Sequence, residues 1–214
     1  MSMKFAIIES QNPIDIFYGR NESSSLLSSL RMFGNQALIL HAKSANDFSV
    51  ACDYLSSSDG NHCLDGEEAN PIFVHISSHG NNQGIALGKD FMDWKAIAEN
   101  ISKIAKNKNY IGKVCLSISS CGSGSNKIHK EIEKNLTSSS RIEYIFSIPG
   151  EKIDWDEALV AWILVYYNIS QGDLDKSHIQ KSLKRTYDGT GVLIKYNRYD
   201  NKEEKYLTWS PRDK

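Results

Sequence analysis

Two segments of the chain end an apolar run on a residue able to do proton or thiol chemistry. One reads Ile72-Phe-Val-His-Ile-Ser-Ser-His79-Gly80, the other Val114-Cys-Leu-Ser-Ile-Ser-Ser-Cys121-Gly-Ser-Gly124. A free thiol is mostly protonated at neutral pH, and an adjacent imidazole can take its proton and later return it to a leaving amine. His79 and Cys121 are therefore the candidate general base and nucleophile of a Cys-His dyad. The glycine after each lets the backbone come close to a substrate, so the N–H groups of Gly80 and Cys121 are candidates for an oxyanion hole. A helix expected directly after Cys121 would add its positive end and favour the thiolate.

Such a pair works only if two strands deliver both side chains to one edge of a sheet. The chain alternates strand and helix patterns, which points to an α/β sheet covered by helices on both faces. Lys4 to Ile8 reads as a strand, and Ile14-Asp-Ile-Phe-Tyr18 as a second. Asn21 or Ser23 caps a helix carrying Leu26, Leu27, Leu30 and Phe33, stopped by Gly34. Ala37 to His41 is a strand and Ala45 to Leu55 a helix, and the polar stretch from Ser56 to Asn70 reads as an exposed loop. After the strand from Ile72, Gly84 to Gly88 suits a brief strand, and Asp93 caps a helix to about Asn107. The strand from Val114 leads to a helix over Ser125–Leu136, a strand over Ile142–Ser147 and an apolar helix opened by Asp154 or Asp156. A helix from Asp175 to Tyr187 follows, and runs over Val192–Tyr199 and Lys205–Trp209 read as a closing hairpin. With no repeat and no linker, residues 1–214 form one domain, with a hairpin appendage at about 191–210.

The composition sets limits on function. Of 214 residues about 40% are hydrophobic and the formal net charge is −1, enough for a sizeable core but without an electrostatic footprint for nucleic acid or an anionic membrane. The longest apolar run, Ala158 to Tyr167, is too short to cross a bilayer. The N-terminus lacks a signal-peptide pattern, so a cytoplasmic location is expected. Cys52, Cys63, Cys115 and Cys121 are scattered without paired spacing, which argues against a disulfide framework and against zinc. Neither a metal nor a cofactor is expected.

The two strand ends resemble the signatures of caspase, gingipain, separase and CHAT-type cysteine peptidases, in which His-Gly follows one hydrophobic strand and Cys the next. Trp155-Asp-Glu-Ala-Leu-Val-Ala-Trp-Ile-Leu-Val-Tyr-Tyr, Gly172 and the segment from Ser182 are similar to the closing helices of CHAT domains. The resemblance implies a three-layer caspase-like α/β fold, with a mostly parallel sheet between helices, and cysteine endopeptidase activity on a protein or peptide. It also implies regulation, as a defence effector switched on by a partner protein or a nucleotide signal. Caspases carry Gln-Ala before the nucleophile and metacaspases an Asp two positions before it; Ser119 and Ser120 stand there in this chain. Asp154 and Asp156 stand where CHAT and separase-like peptidases carry an acidic residue for a basic P1 side chain.

Each assignment competes with a plainer one. His79 alone could be a turn residue and Cys121 a small buried hydrophobe; their shared context favours catalysis over a catalytically silent caspase-fold binding module. A thiol acyltransferase would use the same pair. His75 and His79 have HxxxH spacing, which brings two imidazoles together on a helix but separates them along a strand, so His75 reads as a core or supporting residue. Asp154 and Asp156 also suit a helix start, and Arg20 is the alternative P1 contact, for an acidic side chain. Cys115, Trp155, Trp162, Tyr166 and Tyr167 read as core, Cys52 as a helix-face residue and Cys63 as a loop thiol.

Overall fold

The structure, a computed structural model, describes residues 2–57, 70–107, 110, 112–123, 128–136, 140–150 and 152–213. Most of the expected Ser56–Asn70 loop, including Cys63, lies outside the described residues. Seven strands make one sheet in the order β2-β1-β3-β6-β7-β8-β9. These are β1 Lys4–Ser10, β2 Gln36–His41, β3 Ile72–Ser78, β6 Val114–Ser119, β7 Ile142–Ser147, β8 Lys195–Asp200 and β9 Lys205–Trp209. The first five run parallel, and β8 and β9 add antiparallel. The C-terminal hairpin therefore continues the central sheet rather than standing apart as an appendage. A separate two-stranded piece, β4 Gly84–Leu87 and β5 Asp90–Asp93, lies between β3 and β6 in the chain.

Helices cover both faces, as parallel strands buried on two sides require. Alternate residues of each strand feed two cores. On one face Ile8, Val74, Ile76, Leu116 and Ile118 pack with α3 (Ala45–Leu55), α4 (Trp94–Ala105) and α5 (Ile128–Asn135). On the other, Phe5, Ile7, Phe73, Cys115 and Phe146 pack with α2 (Glu22–Met32), α6 (Trp155–Ser170) and α7 (Lys176–Thr190). This is the three-layer caspase-like arrangement.

The segment read as a second strand is instead a short helix, α1 (Pro13–Phe17). Local chemistry explains it: Asn12 caps the Asp15 N–H, the Asp15 carboxylate returns the contact to the Asn12 N–H, and Pro13 occupies the first turn, where its missing donor costs nothing. The apolar side chains of this segment, Ile14, Ile16, Phe17 and Tyr18, face solvent, not a core.

Candidate active site

The β1 strand pairs with β2 on one side and β3 on the other. Chain connections thus diverge around β1, and the crevice at the carboxyl ends of β1, β3 and β6 is where an open parallel sheet presents ligand-binding groups. A cleft of about 600 Å³ opens there. It is lined by the ends of β3 and β6 (Ser78, His79, Ser119, Ser120, Cys121), by Arg20 and Glu22 before and at the start of α2, and by the start of α6.

His79 and Cys121 reach the cleft through matched registers. Ser77 pairs with Ser119 across β3 and β6, and each candidate stands two residues beyond its member of that pair. Side chains two apart on a strand share a face, so both emerge on the side covered by α2 and α6.

The His79 ring is fixed on two sides. Its Nε2–H donates to Asp15 Oδ2 at 2.7 Å, which leaves Nδ1 as the basic nitrogen. The Trp155 ring stands edge-on against it, with centroids 5.5 Å apart. Trp155 is thus a wall of the cleft, not helix core, and Tyr167 is largely exposed; Trp162 and Tyr166 are buried as expected. Asp15 is 1% exposed, and its other oxygen lies 3.7 Å from the half-exposed Arg20 guanidinium, which itself stacks over Tyr18. Sequence reasoning missed Asp15. The available signal was Asn12-Pro13 followed by an acid at the third helical position, a helix start hidden under a strand-like apolar pattern.

The Cys121 side chain is part-buried, with Sγ 3.9 Å from the Ile153 carbonyl. Its turn is tied down by the residues after it. Gly122 adopts φ +67°, a conformation that costs other residues strain, and its N–H donates to the Gly150 carbonyl at 2.7 Å. The Ser123 hydroxyl accepts from the Ile148 N–H at 3.2 Å. Ser123 begins a 3₁₀ turn directly after Gly122, residues 124–127 lie outside the described residues, and α5 begins at Ile128. The helix expected directly after Cys121, and with it the dipole contribution, falls mostly outside the described residues.

Gly80 is required by crowding, because a Cβ there would come 2.1 Å from Ser120 Oγ and 2.7 Å from the Gly84 carbonyl. The bridge between Gly80 and Ile85 is closed by Ala86 N–H to His79 O and Asn81 N–H to Gly84 O. Those bonds leave the Gly80 N–H outside the bridge.

The other described cysteines have no comparable setting. Burial pushes the Cys52 thiol up to about 12, and drives the fully buried Cys115 well above the ordinary thiol range. His75 is fully buried, with Nδ1 2.8 Å from the Tyr166 hydroxyl. Asp154 and Asp156 both line the cleft and both are exposed. Asp154 is the N-cap of α6, where its backbone N–H contacts Glu157, and Asp156 lies in the first turn.

A family model for the peptidase C13 family matches residues 28–148, just over half of the chain. The matched span includes His79 and Cys121 and ends before α6. A comparison with curated proteins found no match.

Proposed function

The chain belongs to the peptidase C13 family and is a cysteine endopeptidase acting on protein substrates; we propose that Cys121 is its nucleophile, His79 its general base and acid, and Asp15 the residue that positions His79. The observation that carries this reading is the convergence of His79 and Cys121 in one cleft at the carboxyl edge of adjacent parallel strands.

In the proposed reaction the Cys121 Sγ–H proton passes to Nδ1 of His79, and the sulfur pair forms a C–S bond to the scissile carbonyl carbon. The carbonyl π pair moves onto oxygen, where the N–H groups of Gly80 and Cys121 meet the negative charge. Collapse of this intermediate breaks the C–N bond, and the amine leaves with the proton held by His79. Water then gives a proton to His79 and attacks the thioester, and the C–S bond breaks to release the acid and regenerate the thiol. Asp15, fixed by the α1 cap and buried, holds Nε2–H throughout and so keeps Nδ1 as the proton-accepting atom.

The rim carboxylates Asp154 and Asp156 support a basic P1 side chain. Regulation by a partner, in a cytoplasmic defence setting, is what the CHAT resemblance implies, and a nucleotide trigger belongs to the same reading. Its structural support is that α1, which carries Asp15, exposes Ile14, Ile16 and Phe17. Anything docked on that face would act on the support of His79. Among the described residues no helix is long and apolar enough to cross a membrane.

The direct test is a peptide-based electrophile that mimics a substrate up to its scissile carbonyl. Peptide mapping should find it on Cys121, with Cys52 and Cys115 unlabelled at neutral pH because burial keeps both protonated. Labelling spread over the other cysteines would contradict the assignment. Asp15 gives a second test. Asp15→Ala should lower kcat on the order of 10²-fold through a misaligned imidazole, with KM little changed. Asp15→Asn keeps an acceptor for both Nε2–H and the Asn12 N–H and should recover most of that loss; a fall in Asp15→Ala that disappears when rates are normalised to folded protein would mean that Asp15 only stabilises α1.

A further inference from the structure

The first turn of α2 is fastened to the sheet directly beneath the candidate dyad. Glu9, Ser77 and Ser119 form one row across β1, β3 and β6, Glu9 paired with Ser77 and Ser77 with Ser119. Each member of that row bonds to α2. The Ser23 N–H and hydroxyl donate to the two Glu9 carboxylate oxygens at 3.0 and 2.7 Å. Glu22 Oε2 accepts from Ser77 Oγ at 2.6 Å and from Ser119 Oγ at 2.9 Å. Its Oε1 lies 3.3 Å from His75 Nε2, an ion-pair contact within the core. Glu9, Glu22, Ser23, Ser77 and Ser119 are all buried.

The pair Ser77 and Ser119 is the last rung of the β3–β6 ladder. His79 and Cys121 stand two residues beyond it on the same face, about 6.6 Å along the strands. The gap between them is therefore inherited from how that rung is held. Asp15 and the Gly122 N–H steady each residue by itself, whereas Glu22 Oε2 is one acceptor shared by both strands. A buried carboxylate is costly where an apolar side chain would pack. What it adds is directional: hydroxyl-to-carboxylate hydrogen bonds are short and strong, and two on one atom fix the separation of their donors. Proton transfer depends on that separation, since a displacement of about 1 Å can cost on the order of 10²-fold in rate.

We propose that Glu22 is a positioning residue of the Cys-His dyad: by clamping Ser77 to Ser119 it sets the distance across which Cys121 and His79 exchange a proton. The proposal rests on the peptidase reading above and adds to it a residue that acts through the strands, not by contact with the reacting atoms.

The experiment compares variants on two substrates with the same acyl part, a peptide anilide and the matching nitrophenyl ester. The anilide's amine leaves with a proton from His79, whereas nitrophenolate leaves without one. Losses in binding cancel in the anilide-to-ester ratio of kcat/KM, so the ratio reports proton delivery within the dyad. Glu22→Ala should lower that ratio on the order of 10-fold, and kcat on the anilide on the order of 10²-fold per folded molecule, with KM little changed. Glu22→Gln keeps an amide oxygen for the two hydroxyls, turns its N–H toward His75, and should keep most of both. Losing the carboxylate leaves the hydroxyls of Ser77 and Ser119 unpaired and costs stability. Ser77→Ala combined with Ser119→Ala is therefore measured alongside; it keeps the carboxylate, removes the clamp and should reproduce the lowered ratio. A ratio that stays at the wild-type level in Glu22→Ala and in the double serine variant, with the urea midpoint alone lowered, would make Glu22 an anchor of α2 and overturn the proposal. A ratio that His79→Ala leaves unchanged would instead overturn the dyad itself, and the clamp with it.

Discussion

Cys121→Ala is expected to abolish peptide cleavage while the protein remains folded. The fall should be on the order of 10⁶-fold, the scale for removing a nucleophile that acts as a unit with its base. Little structure depends on the sulfur. It is part-buried, its polar contact among the described residues is a long one to the Ile153 carbonyl, and the turn around it is held by the Gly122 N–H and the Ser123 hydroxyl. The change in stability should therefore stay near the ±0.5 kcal/mol of an ordinary peripheral substitution. Among the described residues no other thiol can substitute, because Cys52 and Cys115 are sealed in the two cores and held in the protonated form. Activity that persists in the alanine variant would remove the thiol mechanism and leave the caspase-like fold as a binding module. Mass spectrometry of wild-type products separates hydrolysis from acyl transfer, which would use the same thiol.

The legible part of this site is the part written in local sequence. A short apolar strand, a reactive residue at its end and a glycine after it are adjacent in the chain, so β3 with His79 and β6 with Cys121 could be read directly. The crowding at Gly80 and the positive φ of Gly122 are the physical demands behind those glycines. Asp15 was hidden because Ile14, Ile16 and Tyr18 alternate as a strand would, and the Asn12 cap with Pro13 outweighs that pattern only through local hydrogen bonds. Glu22 was hidden for a different reason. Its partners Ser77 and Ser119 are 55 and 97 residues away, and no local pattern encodes a contact across three elements. Ser119 looked like a departure from the metacaspase pattern, where an aspartate stands two positions before the nucleophile. In the folded chain its hydroxyl holds a carboxylate contributed by α2 instead. The hairpin read as an appendage because sequence alternation reports a strand pair but not its neighbour; β8 finds β7 only in three dimensions.

His79→Ala should lower kcat by 10²- to 10⁴-fold, on the order expected for a lost general acid–base group, and His75→Ala should not. The two histidines are four residues apart on one strand and its extension, yet the fold gives them opposite environments. The His79 ring is 44% exposed in the cleft, where Asp15 holds one nitrogen and leaves the other free for proton transfer. His75 is fully buried under Trp162 and Tyr166, with Nδ1 on the Tyr166 hydroxyl and Nε2 near Glu22. Removing that imidazole leaves a polar hydroxyl without its partner in the core and opens a cavity, a loss of about 1–3 kcal/mol in stability for the unpaired group alone. Its effect should therefore appear in the denaturation midpoint, with kcat per folded molecule largely kept. For His79→Ala the order reverses: a half-exposed ring contributes little to the core, so the midpoint should move little while turnover collapses. Rates normalised to folded protein, measured beside urea denaturation for both variants, separate the two roles. A larger kcat loss in His75→Ala than in His79→Ala at equal folding would mean that the proton passes through the buried histidine and that His79 has been given the wrong role.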